Sequence, residues 1–118
     1  MAFRLETLDI WKESNSFVEK IYKISRKFPR EEMFALTDQL RRSASSISAN
    51  IAEGSGSNTK KDFSHYLDIF IKSIFETVSH LYLANQQGYI SEQQRKSLYD
   101  EAEILVKKIQ SFKKWLNK

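Results

Sequence analysis

Residues 28–56 read FPREEMFALTDQLRRSASSISANIAEGSG, and the middle of this stretch is almost entirely Ser and Ala. Its apolar side chains recur every three to four residues, which is the period of an α-helix. These are Leu36, Leu40, Ala44, Ile47 and Ile51. We predict a helix from about Glu31 to Glu53, with Glu31 and Glu32 in its first turn and Gly54 as a left-handed cap. Because the small side chains bury little surface themselves, a neighbouring helix must approach closely.

Three further helices are predicted around this one. Their bounds are about Leu8 to Lys27, Thr59 to Gly88, and Ser91 to the end of the sequence. The first should end before Pro29, because proline disfavours helical geometry in the residue that precedes it. The third and fourth each open on capping-box spacing, at Thr59 with Asp62 and at Ser91 with Gln94. Short connections between long helices favour antiparallel neighbours. The sequence therefore predicts an all-α, antiparallel, up-down-up-down four-helix bundle.

Composition supports a single helical domain spanning residues 1–118. The chain has 41% apolar residues, three glycines and one proline, so it lacks the turn residues that strands need. It has no cysteine, which excludes disulfides and thiolate ligands. We see no apolar run of membrane-spanning length and no secretory leader, and we expect a cytoplasmic protein with no membrane partner.

The third predicted helix is apolar on nearly every side. Four of its side chains lie off the main core stripe: Tyr66, Ile69, Ile71 and Phe75. A four-helix bundle buries one stripe per helix, so these residues predict an interface between protomers of a homo-oligomer. The alternative is a few exposed apolar residues on a monomer, which monomers tolerate.

A polar strip runs along the second predicted helix at spacings of three and four residues. It consists of Gln39, Arg42, Ser46, Asn50 and Glu53, and a second strip on the third helix contains Ser73 and Glu76. We predict a structural polar network between the two helices, with Arg42 paired to Glu76 inside the bundle or between protomers. From spacing alone, a solvated polar face explains the strip equally well.

Lysines concentrate where the third helix begins and the fourth ends. They are Lys60, Lys61, Lys107, Lys113, Lys114 and Lys118. In an antiparallel bundle these ends lie together, and the formal net charge of +4 permits a nucleic-acid partner without requiring one. We predict phosphate binding at this end, with no base-specific recognition, because the lysines are interleaved with no aromatic stacking platform apart from Trp115. Cations that complement a helix C-terminus are an equally good explanation.

No catalytic or metal constellation emerges from the sequence. His65 and His80 are the only histidines, and fifteen helical residues place them roughly 22 Å apart. No second Glu and His pair completes a bundle di-metal site. The serines of the second helix have no nearby base in sequence to activate them. We therefore predict no catalytic residue, no metal, no cofactor and no enzymatic activity.

The sequence resembles the four-helix-bundle family encoded in intervening sequences of bacterial 23S ribosomal RNA genes, often labelled ribosomal-protein-like. The segment Asn50–Gly56, NIAEGSG, is the most specific part of the resemblance, and Gln39–Ala44, QLRRSA, supports it. Other matching positions are Phe28, Pro29, Glu32, Ser46, Ile47, Phe63, Leu67, Ser73, Glu76, Gly88 and Tyr89. The similarity covers essentially the whole chain.

The resemblance implies a small helical bundle with no known enzymatic activity. It also implies kinship to the accessory variability determinant of diversity-generating retroelements, whose members form a homopentameric barrel with a basic surface. These relatives are thought to bind nucleic acid and a reverse transcriptase. We therefore expect a pentamer that associates with RNA or DNA, or with a reverse transcriptase or other ribonucleoprotein. The competing expectation is a protein-interaction or structural module that binds no nucleic acid.

Overall fold

The computed structural model describes residues 3–118, which form four α-helices and no strand. The helices are α1 (Asp9–Ser25), α2 (Leu36–Ser55), α3 (Lys60–Gln86) and α4 (Glu92–Leu116). Short 3-10 helices at Arg4–Thr7 and Arg30–Glu32 precede α1 and α2. The predicted all-α four-helix bundle is confirmed.

Cross-helix contacts show that sequential helices run antiparallel. Between α2 and α3, Ser46 pairs with Ser73 and Ser43 pairs with Thr77, so residue numbers fall on one helix as they rise on the other. The same opposition holds between α1 and α4, at Lys20–Glu101 and Glu13–Lys108, and between α3 and α4, at Asp68–Lys113 and Ser64–Asn117. Since α1 opposes α4, α4 opposes α3 and α3 opposes α2, α1 also runs antiparallel to α2. Each helix contacts the two beside it, and the bundle measures 44 × 26 × 20 Å.

The apolar stripes predicted from periodicity form one core along the bundle axis. Three phenylalanines are among its most deeply buried side chains: Phe17 of α1 and Phe63 and Phe70 of α3 are at most 1% exposed. Buried aliphatic residues from all four helices complete it, including Ile21, Leu40, Ile47, Ile51, Leu67, Ile74, Leu81 and Ile109. Burial of these side chains is the main stabilising term for a bundle, at about 25 cal/mol per Å² of apolar surface.

The prediction that α2 starts near Glu31 is wrong, because α2 begins at Leu36. Ala35, with φ −124° and ψ −108°, lies outside the helical region and separates α2 from the preceding 3-10 helix. Glu32 therefore belongs to the connection, where its carboxylate accepts a 2.9 Å hydrogen bond from the Tyr89 hydroxyl. This bond, together with burial and the negative charge of Glu32, raises the pKa of Tyr89.

Gly54 is not the left-handed cap that the sequence suggested. It is buried inside α2, which continues to Ser55 and is capped by Gly56 at φ −87°. A Cβ on Gly54 would lie 2.8 Å from Cδ1 of Phe63 and 3.0 Å from Cβ of Tyr66. Glycine is needed here because α3 passes too close to leave room for a side chain. Among the described residues, only Gly88 has positive φ, at 80°.

The capping box predicted at the start of α4 is complete, and the one predicted at the start of α3 is present in one of its two bonds. Ser91 and Gln94 form a complete capping box, in which each side chain bonds to the other's backbone N–H. At α3, the Thr59 hydroxyl accepts from the backbone N–H of Asp62 at 3.1 Å. Side chains therefore satisfy N–H groups that a helix terminus leaves without partners.

None of the helices in the described range 3–118 is long and apolar enough to cross a membrane.

Candidate functional site

The six predicted nucleic-acid-binding lysines separate into two groups by their ion pairs. Lys107 pairs with Glu103 on its own helix at 3.8 Å, and Lys113 pairs with Asp68 of α3. The other four are Lys60, Lys61, Lys114 and Lys118, which are exposed and form no ion pair with an acidic side chain of residues 3–118. We call these four the basic end of the bundle.

Antiparallel packing of α3 against α4 brings the basic end together. Asn117 and Ser64 share hydrogen bonds of 3.0 and 3.2 Å across the two helices. The Lys60 ammonium donates to the main-chain oxygen of Lys118 at 3.3 Å. These contacts fix the last turn of α4 beside the first turn of α3, so lysines 58 residues apart in sequence become neighbours.

A cleft of about 460 Å³ opens at the basic end, between the start of α3 and the end of α4. Its charged side chains are those of Arg4, Lys60 and Lys118, and no Asp or Glu among residues 3–118 lines it. Ser57, Asn58 and Thr59 contribute polar groups from the α2–α3 connection. Positive side chains that converge without an acidic side chain among them attract anions, phosphates in particular.

Arg4 is the cleft residue that sequence reasoning missed. Its guanidinium carbon lies 5.2 Å from the centre of the Phe63 ring, in cation–π geometry. The 3-10 helix Arg4–Thr7 carries it back over the bundle end. No local sequence motif predicts the position of Arg4, because that position depends on how the N-terminal segment packs against α1 and α2.

The α2–α3 contact contains a hydrogen-bonded polar network, although not with all the predicted members. Ser46 Oγ lies 2.9 Å from Ser73 Oγ, and the Asn50 amide donates to Ser46 Oγ at 2.9 Å. One turn further along, the Thr77 hydroxyl lies 2.9 Å from Ser43 Oγ. Ser43 and Thr77 extend the network beyond the residues that spacing identified.

The Arg42–Glu76 pair predicted inside the bundle is wrong. Arg42 pairs with Asp38 of its own helix at 3.0 Å, and its side chain is 76% exposed. Glu76 lies 3.6 Å from the His80 ring, also on its own helix. Gln39 and Glu53 are exposed as well. Serine and threonine hydroxyls therefore bridge α2 and α3, while the long charged side chains are exposed to solvent. A pairing of Arg42 with Glu76 between protomers stays a prediction.

The four predicted interface residues of α3 differ in exposure. Tyr66, Ile69 and Ile71 are half-buried against the bundle, whereas Phe75 is 66% exposed. Phe75 borders a groove of about 550 Å³ between α3 and α4, whose apolar lining includes Val78, Tyr99 and Val106. Exposed Phe75 and this groove together form an apolar surface of the kind that marks protein interaction sites.

The two histidines do not come together in the fold. His80 is largely buried, with both ring nitrogens lacking a hydrogen-bond partner, and His65 is exposed. Across residues 3–118, no three His, Cys, Asp or Glu side chains are grouped so that they could hold a metal ion.

Comparisons with known proteins identify relatives of this chain. A family model described as 23S rRNA-intervening sequence protein matches residues 6–111. The fold is similar to the crystal structure of a protein of unknown function from the S23 ribosomal protein family of Bacteroides thetaiotaomicron VPI-5482. That match has a TM-score of 0.82 and 28% identity, and covers 89% of this chain and 98% of the other. A search of curated proteins returned no match.

Proposed function

The chain belongs to the 23S rRNA-intervening sequence protein family, and from that premise we propose that it is a non-enzymatic, oligomeric bundle that associates with RNA or a ribonucleoprotein. The proposal rests mainly on the cleft at the basic end, where Arg4, Lys60 and Lys118 converge and no Asp or Glu among residues 3–118 is in the lining. Phosphate groups along a polynucleotide are the natural counter-charge for such a surface.

Charge pairing on α4 strengthens this assignment. Lys113 and Lys107 form ion pairs with acidic neighbours, whereas Lys114 and Lys118 at the end of the same helix pair with no acidic side chain of residues 3–118. Positive charge is thus available where α3 begins, and the partial positive charge of the α3 N-terminus adds to it. The binding surface in this proposal is the cleft and its rim rather than the length of α4.

Self-association belongs to the same proposal. Phe75 and the α3–α4 groove leave apolar surface that a second protomer would cover. We take a homopentamer as the assembly, on the resemblance to the accessory variability determinant of diversity-generating retroelements. On the same basis, a reverse transcriptase is the proposed protein component of the ribonucleoprotein. A ring of protomers would carry one basic end per protomer, and the electrostatic potentials of these basic ends would add.

The proposal is tested by nucleic-acid binding as a function of salt. Fluorescence anisotropy with a labelled RNA should show affinity that falls steeply as salt rises. Replacing Lys60 and Lys118 with Gln should weaken binding and reduce the slope of log K against log salt by about 0.7–0.9 for each phosphate that is no longer neutralised. The matched control is Lys20→Gln with Lys96→Gln, which removes the same charge from lysines that pair with Glu101 and Asp100. Absence of RNA binding at low salt would refute the proposal.

A protein-interaction module is the second candidate function. The α3–α4 groove favours it, because its lining is mainly apolar and includes exposed Phe75. Under this alternative the lysines only solubilise the protein. Self-association without RNA binding at low salt would favour this function over the first.

A further inference from the structure

Trp115 presents an exposed indole at the edge of the cationic cleft. It lines the cleft together with Lys60 and Lys118, yet its side chain remains 61% exposed. A large ring left in solvent beside converging cations is the combination that single-strand binding proteins use, with aromatic rings for the bases and cations for the phosphates.

A chain of aromatic rings holds the Trp115 indole in place. Its ring packs against Phe112 at a centroid distance of 5.6 Å, and Phe112 packs against Phe63 at 5.4 Å. Phe63 is 1% exposed, so the chain ends in the core of the bundle. Packing against Phe112 therefore restricts the Trp115 side chain before any ligand binds. This restriction lowers the conformational entropy lost when a ligand stacks on the exposed part of the ring.

Hydrogen-bond donors and positive charge line the same cleft as the indole. Arg4 lies over the Phe63 ring, and the Lys60 ammonium donates to the Lys118 main-chain oxygen. Ser57 and Asn58 add side-chain donors from the α2–α3 connection. A phosphodiester that follows the cleft would meet Arg4, Lys60 and Lys118 while an adjacent base reaches Trp115.

We propose that this cleft binds a single-stranded polynucleotide, with one base stacked on Trp115 and the neighbouring phosphates on Arg4, Lys60 and Lys118. The inference rests on the proposed nucleic-acid function and adds strand selectivity to it. A duplex keeps the faces of its bases within its own stack, so it can use the cations but not the indole. Since every base has a stacking face, the site selects single strands without selecting sequence.

The first experiment compares one single strand with its own duplex. Labelled pyrimidine-rich RNA of about 12 nucleotides, within the range of single-strand site sizes, is titrated alone and annealed to its complement, at one salt concentration. We expect tighter binding of the single strand. Trp115→Ala should weaken single-strand binding by about 5- to 150-fold and leave duplex binding unchanged. Trp115→Phe, which keeps a smaller aromatic face, should restore part of the loss.

The matched control is Phe34→Ala, which removes an aromatic ring that is 91% exposed at the opposite end of the bundle and should alter neither affinity. Circular dichroism is used to check that each variant is folded. A second readout uses Trp11→Phe, because Trp11 is the only other tryptophan. In this variant the fluorescence of Trp115 should be quenched by the single strand and not by the duplex.

Equal affinity for the two forms, with Trp115→Ala neutral for both, would overturn the inference and leave the proposed RNA association standing. A lack of quenching despite single-strand binding would overturn it equally, since the base would then lie elsewhere. Failure to bind either form at low salt would overturn the proposed function together with the inference.

Discussion

Replacing Gly54 with Ala tests whether close approach of α2 and α3 is what this fold requires of its Ser/Ala-rich helix. Gly54 is buried within α2 and has helical geometry, so helix propensity alone favours alanine there by about 1 kcal/mol. The new Cβ, however, would lie 2.8 Å from Cδ1 of Phe63 and 3.0 Å from Cβ of Tyr66. The gain in helix propensity and the steric cost oppose each other, and their relative sizes decide whether the substitution stabilises or destabilises the fold.

Neither neighbour can move away without disturbing the bundle. Phe63 is 1% exposed and packs against the Phe112 ring, and the Tyr66 Cβ is fixed to the α3 backbone. Overpacking of this kind typically destabilises by about 1–3 kcal/mol. Because both obstacles are rigid, we take the upper half of that range. After subtracting the propensity gain, we expect Gly54→Ala to destabilise the fold by about 1–2 kcal/mol.

Thermal and urea unfolding monitored by circular dichroism measures this difference. The expected melting temperature falls by roughly 4–8 °C, on the scale of about 4 °C per kcal/mol for a domain of this size. Protein concentration is held constant, because self-association shifts apparent stability. Gly56→Ala is the matched control, since its Cβ would meet only the Glu53 carbonyl oxygen at 3.5 Å, which is an ordinary van der Waals distance. It should be neutral or slightly stabilising. A Gly54→Ala protein as stable as wild type would refute the packing argument.

Three further substitutions and one pH dependence probe other parts of the bundle. Gly88→Ala should destabilise the fold by about 1 kcal/mol in urea unfolding. The cost is backbone strain at φ 80°, because an added Cβ would meet no other atom within 4 Å. Thr77→Val should cost about 1 kcal/mol by removing the hydroxyl that contacts Ser43, again read by urea unfolding. Folding raises the pKa of the Tyr89 hydroxyl above its unfolded value of about 10. The neutral hydroxyl therefore stabilises the folded state below about pH 10, and this stabilisation is lost as pH rises through the folded pKa. Urea unfolding measured as pH is raised above about 10 should show this loss in wild type and not in Tyr89→Phe. Phe75→Ser should weaken self-association measured by light scattering while the melting temperature of the dissociated protein changes little, because the ring is 66% exposed. A monomeric wild type would refute the proposed assembly.

Periodicity and capping chemistry predicted most of the fold because those signals are local. The spacing of Leu98, Leu105 and Ile109 identifies the buried face of α4 without reference to any other helix. The capping box at Ser91 and Gln94 is complete within four residues. The features that sequence reasoning misplaced are not local. Gly54 is explained only by the position of Phe63, and the late start of α2 accompanies a contact between Glu32 and Tyr89, 57 residues apart.

The proposed site depends in the same way on how α4 is aligned with α3. Lysine clustering is visible in sequence, and so is the pairing of Lys107 with Glu103, one helical turn apart. The pairing of Lys113 with Asp68 requires the antiparallel alignment, which also sets Lys60 beside the Lys118 main chain. A shift of α4 by one turn, about 5.4 Å along its axis, would move Lys113 away from Asp68 and change which lysines lack a partner. The alignment that the apolar stripe selects for burial therefore also determines which positive charges remain at the cleft.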